Sequence, residues 1–371
     1  EVNASLPDVI RREGITAVLV APGRIGKFRN DTALQDYILQ SGARIFAANN
    51  VVDTEHDAIK GAPTLKEVSI EDLLPRDEIC VDLESVAESL RGKRILITGS
   101  AGSIGSEIVR QVASFSPSSL MLIDSAETPQ HDIRRMMARD FPSVPCATVV
   151  TSITKADRME NIFKTFLPEY VFHAAAYKHV PMMEDNPCES IQNNVLGTKI
   201  LADLSVKYGV RRFVMVSTDK AVNPTNVMGC SKRICEVYVQ SLNKAERDGV
   251  VKGQTQFITT RFGNVLGSNG SVIPIFERQI KAGGPVTVTD PNIIRYFMLI
   301  PEACELVLEA GTKGEGGEIF VFDMGKPVRI ADLARRMIEL SGAKGVEIKY
   351  TGLRDGEKLY EELMMDEEQD K

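Results

Sequence analysis

A glycine-rich turn between an apolar segment and an amphipathic segment constrains the fold of this chain more than any other feature. Residues 94–98 form a short apolar run, glycines follow at positions 99, 102 and 105, and residues 106–112 have the pattern of a helix. In such a strand–turn–helix unit the first glycine permits the tight turn, the second lets the backbone approach a pyrophosphate, and the third allows close helix packing. The pattern predicts a dinucleotide-binding unit of the Rossmann type.

An acidic residue follows the next apolar segment, at the distance typical of ribose recognition. Residues 120–123 have the pattern of a second strand, which ends at Asp124. A carboxylate about 20 residues beyond the glycines binds the ribose hydroxyls of a dinucleotide, and the helix start offers N–H groups to its phosphates. Because a carboxylate would repel a ribose 2′-phosphate, NAD is favoured over NADP. The predicted cofactor-binding residues here are Gly99, Gly102, Ser103, Ile104, Gly105 and Asp124.

A hydroxyl, a carboxylate and an amine stand side by side at the end of a later strand. The apolar pattern of residues 212–217 is followed directly by Thr218, Asp219 and Lys220. Ligands of open parallel sheets bind outside the carboxyl ends of the strands, so these three side chains are predicted to lie where chemistry occurs. A Ser/Thr/Asp turn with a solvated lysine is the alternative interpretation.

Small and polar residues follow the strand pattern that ends at His173. Ala174 and Ala175 would let the chain pass close to a cofactor, and they are predicted to contact it. Lys178 and His179 would face either the substrate or the solvent. Asn194 begins a long helical pattern, where it would hold the backbone around the site or cap the helix.

Composition excludes several classes of protein. The net charge is −7 and the pI is near 5.4, which argues against a nucleic-acid partner but allows a local cationic pocket for a diphosphate. The six cysteines contain no C-x-x-C pair and the four histidines form no ligand pattern, so we expect reduced thiols and no metal site. No apolar run of about 18 residues, the length needed to span a membrane, is present.

The length of 371 residues predicts more than one domain. We expect an α/β fold in which a Rossmann-type doubly wound parallel sheet carries a smaller C-terminal α/β substrate domain and an N-terminal βαβ appendage. The expected boundaries are residues 1–80 for a packing or regulatory appendage with its linker, 81–265 for the NAD-binding domain with the catalytic residues, and 266–371 for a substrate-binding region interleaved with it. Because the chain starts at Glu1 without a methionine, we expect a piece of a longer protein.

Several motifs, in order along residues 70–363, resemble those of a known family. The chain resembles the extended short-chain dehydrogenase/reductases in its glycine turn, in residues 173–176 and 217–219, and in Lys232, the lysine of a Y-x-x-x-K pattern. More narrowly it resembles the nucleotide-sugar 4,6-dehydratases of the CapD/PglF/WbpM polysaccharide-biosynthesis type. The motifs that carry this narrower resemblance are residues 176–181, 217–221, 261–268, 295–298 and 352–359. Asp355 stands where these enzymes usually carry proline, a loop change that we expect to leave the chemistry unaltered.

The resemblance implies a reaction on one bound sugar, with UDP-N-acetylglucosamine as the substrate. NAD accepts the C4 hydride, water is eliminated across C5 and C6, and the hydride returns to C6. Lys220 would remove the C5 proton, Asp219 would protonate the departing C6 hydroxyl, and Lys232 would bind the cofactor ribose. The predicted catalytic residues are Thr218, Asp219, Lys220, Met228 and Lys232. The predicted substrate-binding residues are Lys178, His179, Asn194, Asn264, Arg295, Arg354 and Glu357.

The resemblance also implies where such a protein works. Larger members carry transmembrane helices ahead of a first Rossmann-like domain, so we expect this chain to lie on the cytoplasmic side, with its parent protein anchored in the inner membrane. A homo-oligomer is expected because it is common for this fold.

Met228 departs from the pattern of the wider family. Related enzymes carry a tyrosine at this position to accept the C4 proton, and a thioether cannot accept one. Thr218 is predicted to hydrogen-bond the C4 hydroxyl and pass its proton by water or the ribose to Lys232, with Asp219 or Lys220 as alternative bases.

Two other functions stay open at this point. A C4 epimerase, or a dehydratase that also inverts C5, would use the same cofactor; Asp219 and Lys220 disfavour simple epimerisation because it needs no acid at C6. The other hypothesis is a non-catalytic protein that binds NAD and a UDP-sugar, and Met228 is its best support.

Overall fold

The computed structural model describes residues 9–10, 12–48, 65–74, 81–365 and 368. The chain divides into two compact units. The larger unit comprises Cys80–Asn269, Met298–Asp323 and Leu353–Lys371, and the smaller unit comprises Glu1–Ile79, Gly270–Phe297 and Met324–Gly352. In both units only the residues within these ranges are described.

The strands are short and are spread over the whole described chain. They are β1 Ala17–Val20, β2 Arg44–Ala48, β3 Leu65–Glu67, β4 Arg94–Thr98, β5 Ser119–Asp124, β6 Cys146–Val150, β7 Tyr170–His173, β8 Arg212–Val216, β9 Gln256–Arg261, β10 Asn264–Val265, β11 Val286–Val288, β12 Ile294–Arg295, β13 Phe297–Met298, β14 Ile319–Val321, β15 Val328–Arg329 and β16 Ile348–Tyr350.

The helices alternate with these strands. They are α1 Ile25–Asn30, α2 Thr32–Gln40, α3 Ile70–Leu73, α4 Leu83–Leu90, α5 Ser103–Ser114, α6 Glu127–Asp140, α7 Ala156–Phe166, α8 Val180–Asp185, α9 Pro187–Ser190, α10 Gly197–Lys207, α11 Val227–Arg247, α12 Val272–Lys281, α13 Ile300–Lys313 and α14 Ile330–Ser341. A π-helical stretch, Ile191–Leu196, joins α9 to α10, and 3-10 turns occur at Pro22–Arg24 and Asp219–Ala221. In the described ranges no helix is both long and apolar enough to cross a bilayer.

A seven-stranded sheet forms the centre of the larger unit. Its strand order is β14-β9-β8-β7-β4-β5-β6, and every neighbouring pair is parallel. From β4 the chain first builds outward through β5 and β6, then crosses to β7 on the other side. Such a reversal leaves a crevice beyond the carboxyl ends of the two central strands, where doubly wound sheets bind ligands. The predicted Rossmann-type sheet is confirmed.

The apolar runs of the central strands explain why this sheet forms. Residues 95–97 of β4 and 213–215 of β8 are fully buried, as expected when helices cover both faces of a parallel sheet. The rings of Phe213 and Phe257 on adjacent strands lie 5.4 Å apart. Burying each of these apolar side chains stabilises the fold by about 1.5–3 kcal/mol. The packed core therefore holds in place the strand ends that carry the polar residues.

The smaller unit contains three separate small sheets. Strands β1, β2 and β3 form one, with β1 parallel and β3 antiparallel to β2. Strand β11 pairs in parallel with β16, and β12 pairs in antiparallel with β15. Arg336 of α14 lies 2.9 Å from Asp36 of α2 and also donates to Gln35, which ties the late helix to the N-terminal segment.

This division differs from the three consecutive ranges predicted from sequence. The βαβ pattern in residues 1–80 is present, but these residues group with 270–297 and 324–352 and do not stand alone. Residues 298–323 and 353–371 group with the larger unit. Hydrophobic periodicity identifies helices and strands, but it carries no information about which distant segments pair, and the chain passes between the units several times.

Candidate active site

The glycine turn after β4 is shaped by backbone contacts that exclude side chains. Gly99 has a φ of +67°, and a Cβ there would lie 2.6 Å from the amide nitrogen of Ala175. A Cβ on Gly105 would lie 1.9 Å from the carbonyl oxygen of Gly99. The first and third glycines are therefore required for the close approach of the turn, the β7 loop and helix α5.

The second glycine has a different surrounding. A Cβ on Gly102 would meet the Gly99 carbonyl oxygen at 3.4 Å, an ordinary contact, and Gly102 is exposed. Helix α5 begins directly after it without a side-chain cap, so its first N–H groups are available to an anion. Ser103 Oγ accepts a hydrogen bond from the backbone N–H of Asn269 at 3.2 Å, and Ile104 is half-buried. This arrangement fits a pyrophosphate.

Asp124 at the end of β5 binds the glycine turn itself. Its Oδ2 accepts the Ala101 N–H at 3.0 Å and its Oδ1 accepts the Ala126 N–H at 2.9 Å. Each carboxylate oxygen has a second lone pair, so Asp124 retains acceptor capacity for ribose hydroxyls. The side chain is half-buried, and its two bonds fix the turn beside which it lies.

The neighbouring strand β7 continues into Ala174 and Ala175, which are half-buried. The Ala174 amide donates to the Thr98 carbonyl at 3.1 Å, and Ala175 lies against Gly99 as described above. These contacts bring the two predicted alanines to the wall of the same crevice.

His173, the last residue of β7, is buried and neutral. Its Nδ1 lies 2.7 Å from Thr98 Oγ1 and its Nε2 lies 2.8 Å from Thr198 Oγ1. Burial, with a smaller contribution from the charge of Lys232, lowers the pKa of His173 to about 3. Its contacts are those of a structural residue that joins β4, β7 and α10.

We expect His173 to make the fold sensitive to acid. The unfolded chain protonates this imidazole below about pH 6.5, whereas the folded chain does so only near pH 3. The free energy of unfolding should therefore fall as the pH drops between these values, with a contribution of about 1.4 kcal/mol per pH unit. Urea unfolding of wild type and His173→Asn across this range measures it. Equal slopes in both proteins would contradict the assignment.

The residues after β8 form a compact polar cluster. Thr218 Oγ1 donates to Asp219 Oδ1 at 2.8 Å, and Lys220 Nζ donates to the same oxygen at 3.0 Å. The Asp219 side chain is 1% exposed, and its second oxygen, Oδ2, is buried with no hydrogen-bond partner in the described part of the chain. Leaving a buried carboxylate oxygen without a hydrogen bond costs folding free energy. Such an atom is suited to carry a proton or to bind a ligand.

Lys220 is held from a second strand as well. Its Nζ donates to Asn264 Oδ1 at 3.2 Å, and its side chain is 18% exposed. Asn264 stands in β10, shortly after β9, which lies next to β8 in the sheet. The structure therefore brings Asn264 to Lys220.

The start of helix α11 packs directly on this cluster. Asn226 caps the helix by accepting the Gly229 N–H at 2.7 Å. A Cβ on Gly229 would lie 2.2 Å from the Lys220 carbonyl oxygen, so glycine is required there. The sequence analysis missed Gly229; its position next to Met228 in a helix start was the available signal.

Met228 and Lys232 occupy buried positions on the same helix. Met228 is 3% exposed. Lys232 is 5% exposed, its Nζ donates to the Val216 carbonyl at 2.7 Å, and burial lowers its pKa. Lys232 is thus anchored to the last residue of β8, just before the polar cluster.

A buried ion pair behind the cluster was also missed. Glu236 and Arg261 are both fully buried, and Arg261 Nη2 donates to Glu236 Oε2 at 2.8 Å. Glu236 also accepts from Ser217 Oγ at 2.6 Å, and Arg261 donates to Glu368 at 2.7 Å. Burial opposes the charge of Arg261, but its carboxylate partners raise its pKa above the ordinary value. This network ties the ends of β8 and β9 together.

Asn194 holds backbone, in contrast to the prediction that it binds substrate. It is 1% exposed and lies in the π-helical stretch. Its Oδ1 accepts the Tyr177 N–H at 2.8 Å, and its Nδ2 donates to the Tyr177 carbonyl and to Ser231 Oγ. With both ends of the amide engaged inside the protein, Asn194 fixes the loop after β7, which was the alternative interpretation.

The remaining predicted substrate residues occupy diverse surroundings. Lys178 and His179 are exposed. Arg354 is exposed, and its backbone N–H donates to Glu357 Oε2 at 3.2 Å. The Gly356 carbonyl between them accepts from Thr225 Oγ1 at 2.9 Å, so this turn docks beside the start of α11.

Arg295 belongs to the smaller unit. There it is buried, and its Nη1 donates to the Ile294 carbonyl at 2.7 Å. Within the described ranges, no group of three or more His, Cys, Asp or Glu side chains is arranged to hold a metal ion.

Comparison with known proteins identifies relatives over most of the chain. The family model described as polysaccharide biosynthesis protein matches residues 95–371. The chain is 44% identical over 362 residues to the capsular polysaccharide biosynthesis protein CapD of Staphylococcus aureus, covering 97% of this chain but 59% of that relative. It is 35% identical over 285 residues to a UDP-glucose 4-epimerase of Rickettsia canadensis, covering 74% of this chain and 79% of the epimerase.

Solved structures share the architecture. Pen from Bacillus thuringiensis superposes with a TM-score of 0.70 at 34% identity, covering 75% of this chain and 85% of Pen. A double mutant of DesIV, a dTDP-glucose 4,6-dehydratase from Streptomyces venezuelae with NAD and DAU bound, has a TM-score of 0.64 at 23% identity, covering 73% of this chain and 88% of DesIV. The latter likeness concerns the fold alone. As the resemblance predicted, the chain belongs to the polysaccharide biosynthesis protein family and has the fold of the extended short-chain dehydrogenase/reductases.

Proposed function

We propose that the chain is an NAD-dependent nucleotide-sugar 4,6-dehydratase that converts UDP-N-acetylglucosamine to a UDP-4-keto-6-deoxy-N-acetylhexosamine for glycan biosynthesis. One observation carries this proposal: Asp219 Oδ2 is buried without a hydrogen-bond partner among the described residues, while Asp219 Oδ1 accepts from the amine of Lys220 at the carboxyl end of β8. A 4-epimerase needs no acid at C6, whereas a dehydratase needs a proton donor there and a base at C5.

The residues around the glycine turn support NAD as the cofactor. The helix start after Gly102 would hold the pyrophosphate, Asp124 would accept the ribose hydroxyls, and Lys232 would hold the second ribose. NAD, when bound, supplies a reversible hydride acceptor for C4 and a donor for C6. The chain's own residues then have to move protons at three positions of the sugar.

Thr218 and Asp219 provide a route for the first proton. Because Thr218 Oγ1 donates to Asp219 Oδ1 at 2.8 Å, a C4 hydroxyl bonded to Thr218 can pass its proton through this hydroxyl to the carboxylate. Asp219 then holds a proton as the carboxylic acid. Met228 has no part in this route. The C4 proton therefore reaches Asp219 in this scheme, which was one of the alternatives left open, and Lys232 serves to bind the ribose.

Lys220 and Asp219 complete the elimination of water. To act as the base, Lys220 has to be unprotonated: its amine takes the C5 proton, the C5–H electron pair forms the C5–C6 double bond, and the C6–O bond breaks. Asp219 gives its proton to the departing oxygen, so the released water contains the C6 hydroxyl and the former C4 hydroxyl proton. Lys220 returns its proton to C5 when C6 is reduced. Both side chains end in the state in which they began.

The assay for this function uses UDP-N-acetylglucosamine deuterated at C4. A dehydratase gives a product lighter by one water, with the deuterium on the C6 methyl group. A UDP-sugar 4-epimerase, the second candidate because of the Rickettsia relative, gives an isomer of unchanged mass without deuterium at C6. Mass spectrometry separates these outcomes, and proton NMR of the product reports whether C5 is inverted. Unchanged substrate with every UDP-N-acetylhexosamine tested would reject the enzymatic function.

Replacing Met228 tests whether the absent tyrosine matters. We expect Met228→Tyr to leave turnover no higher than Met228→Phe, because Thr218 and Asp219 already provide the proton route and the position is buried. Both variants should lower the melting temperature, since overpacking a buried site costs about 1–3 kcal/mol. The phenylalanine variant controls for ring size, so a strong gain specific to tyrosine would show that methionine is a handicap.

A further inference from the structure

We propose that Asn264 is a positioning residue that directs the lone pair of Lys220 toward the substrate. The inference rests on the proposed dehydratase function and deepens it. It gives Asn264 a role different from the direct substrate contact expected from sequence, because its amide oxygen is engaged by the amine of Lys220.

The valence of its amine limits how Lys220 can act as a base. A neutral amine has two N–H groups and one lone pair, in roughly tetrahedral directions. Lys220 Nζ lies 3.0 Å from Asp219 Oδ1 and 3.2 Å from Asn264 Oδ1. These oxygens come from two different strand ends, and in the unprotonated form that a base requires they would take up both N–H groups of the amine. The lone pair is then left in the remaining direction, and a side chain that is 18% exposed has an open side on which to receive a proton.

An amide is suited to this task because it is uncharged. A second carboxylate at the same distance would stabilise the ammonium form, which has no lone pair and cannot act as a base. Asn264 accepts a hydrogen bond without adding this penalty. A variant that adds a charge at position 264 and a variant that removes the acceptor should therefore have separable effects. The first acts on the charge of Lys220, and the second acts on the orientation of its amine.

The charged groups around Lys220 allow this separation to be measured. Among the described residues, Asp219 is the charged side chain bonded to its amine. Helix α11 presents the backbone of Gly229 to the Lys220 carbonyl, while its ionisable residues Lys232 and Glu236 bond elsewhere. Lys232 donates to Val216, and Glu236 is paired with Arg261. A new charge at position 264 would thus act mainly on the Asp219–Lys220 pair.

The experiment compares Asn264→Asp and Asn264→Ala with wild type, using UDP-N-acetylglucosamine and the holoenzyme. Turnover and KM are measured from pH 6 to 10 with unlabelled substrate and with substrate deuterated at C5. Asn264→Asp keeps the shape and adds a charge. We expect it to move the acidic limb of the turnover profile, where the base loses its proton, upward by about one pH unit or more, to lower turnover at neutral pH about tenfold, and to regain activity in alkali.

Asn264→Ala removes the acceptor without adding a charge. We expect lower turnover, a nearly unchanged KM, and a larger C5 isotope effect, because proton removal becomes the slower step when the amine is no longer directed. This variant also keeps the test decisive if the aspartate variant does not fold.

The opposite result is equally clear. If both variants raise KM while the pH profile and the isotope effect stay as in wild type, Asn264 binds substrate and does not position Lys220. Failure of the proposed function is distinguishable from this outcome, because wild type would then release no water from any UDP-N-acetylhexosamine.

Discussion

Asp219→Asn should lower turnover by about 10²–10⁴-fold, the usual contribution of a general acid, while substrate and cofactor binding stay close to wild type. The asparagine side chain has nearly the same shape and can still accept hydrogen bonds from Thr218 and Lys220 through one oxygen. It cannot receive the C4 proton or deliver a proton to the C6 oxygen. The loss should therefore fall on kcat, because the interaction is made only as the bonds change.

Single-turnover mass spectrometry measures this effect directly. Loss of water from UDP-N-acetylglucosamine should slow by the same factor, and titration of the nucleotide sugar should give an unchanged Kd. Asp132→Asn, which removes an exposed carboxylate from helix α6, is the matched control and should behave as wild type. Turnover within tenfold of wild type in Asp219→Asn would remove Asp219 from the acid–base chemistry and, with it, the observation on which the proposed function stands.

Gly105→Ala should damage both the fold and the cofactor site. Its Cβ would lie 1.9 Å from the carbonyl oxygen of Gly99 and 2.6 Å from the carbonyl carbon. Both atoms are backbone, so no rotamer change can relieve the contact, and helix α5 or the turn has to move. Overpacking costs about 1–3 kcal/mol and occasionally more. We expect a lower melting temperature without cofactor and a loss of NAD binding in calorimetric titration.

Gly102→Ala is the matched control, because the two substitutions add the same methyl group to the same turn. At Gly102 the methyl would make one ordinary contact of 3.4 Å, and the backbone φ of −76° suits alanine. The melting temperature should therefore stay near that of wild type, whereas NAD binding should weaken because the methyl occupies the approach of the pyrophosphate. Equal stability of the two variants would contradict the packing argument, and unimpaired NAD binding by Gly102→Ala would contradict the placement of the phosphates.

The part of the site that sequence could predict is the part that consecutive residues encode. Gly99, Gly102 and Gly105 act through backbone geometry, and their spacing along one turn fixes where they lie. Thr218, Asp219 and Lys220 are consecutive and come just after a strand. The rule that parallel strands end at a common edge was therefore sufficient to predict that they lie at the ligand-binding edge of the sheet.

The missed contacts join residues that are distant in sequence. Asn264 follows Lys220 by 44 positions and Arg261 follows Glu236 by 25, and no periodicity reports that two such side chains meet. Asn194 was misassigned because a polar residue near a predicted site has the same pattern whether its amide faces a ligand or the backbone of Tyr177. For a related reason, periodicity does not report that residues 1–79 group with two later segments, since the choice of partner depends on surfaces that are complementary in three dimensions.

The two hydrogen bonds that Asp124 accepts from the backbone have a consequence for the kinetics and energetics of cofactor capture. Together with the contact between Gly99 and Ala175, they hold the phosphate-binding turn in one conformation by protein groups alone. Little conformational entropy remains to be lost when a dinucleotide arrives, so more of its interaction energy is expressed as affinity. Weakening the bonds that Asp124 accepts from the Ala101 and Ala126 N–H groups should therefore slow and loosen cofactor binding, in addition to any loss of the ribose contact.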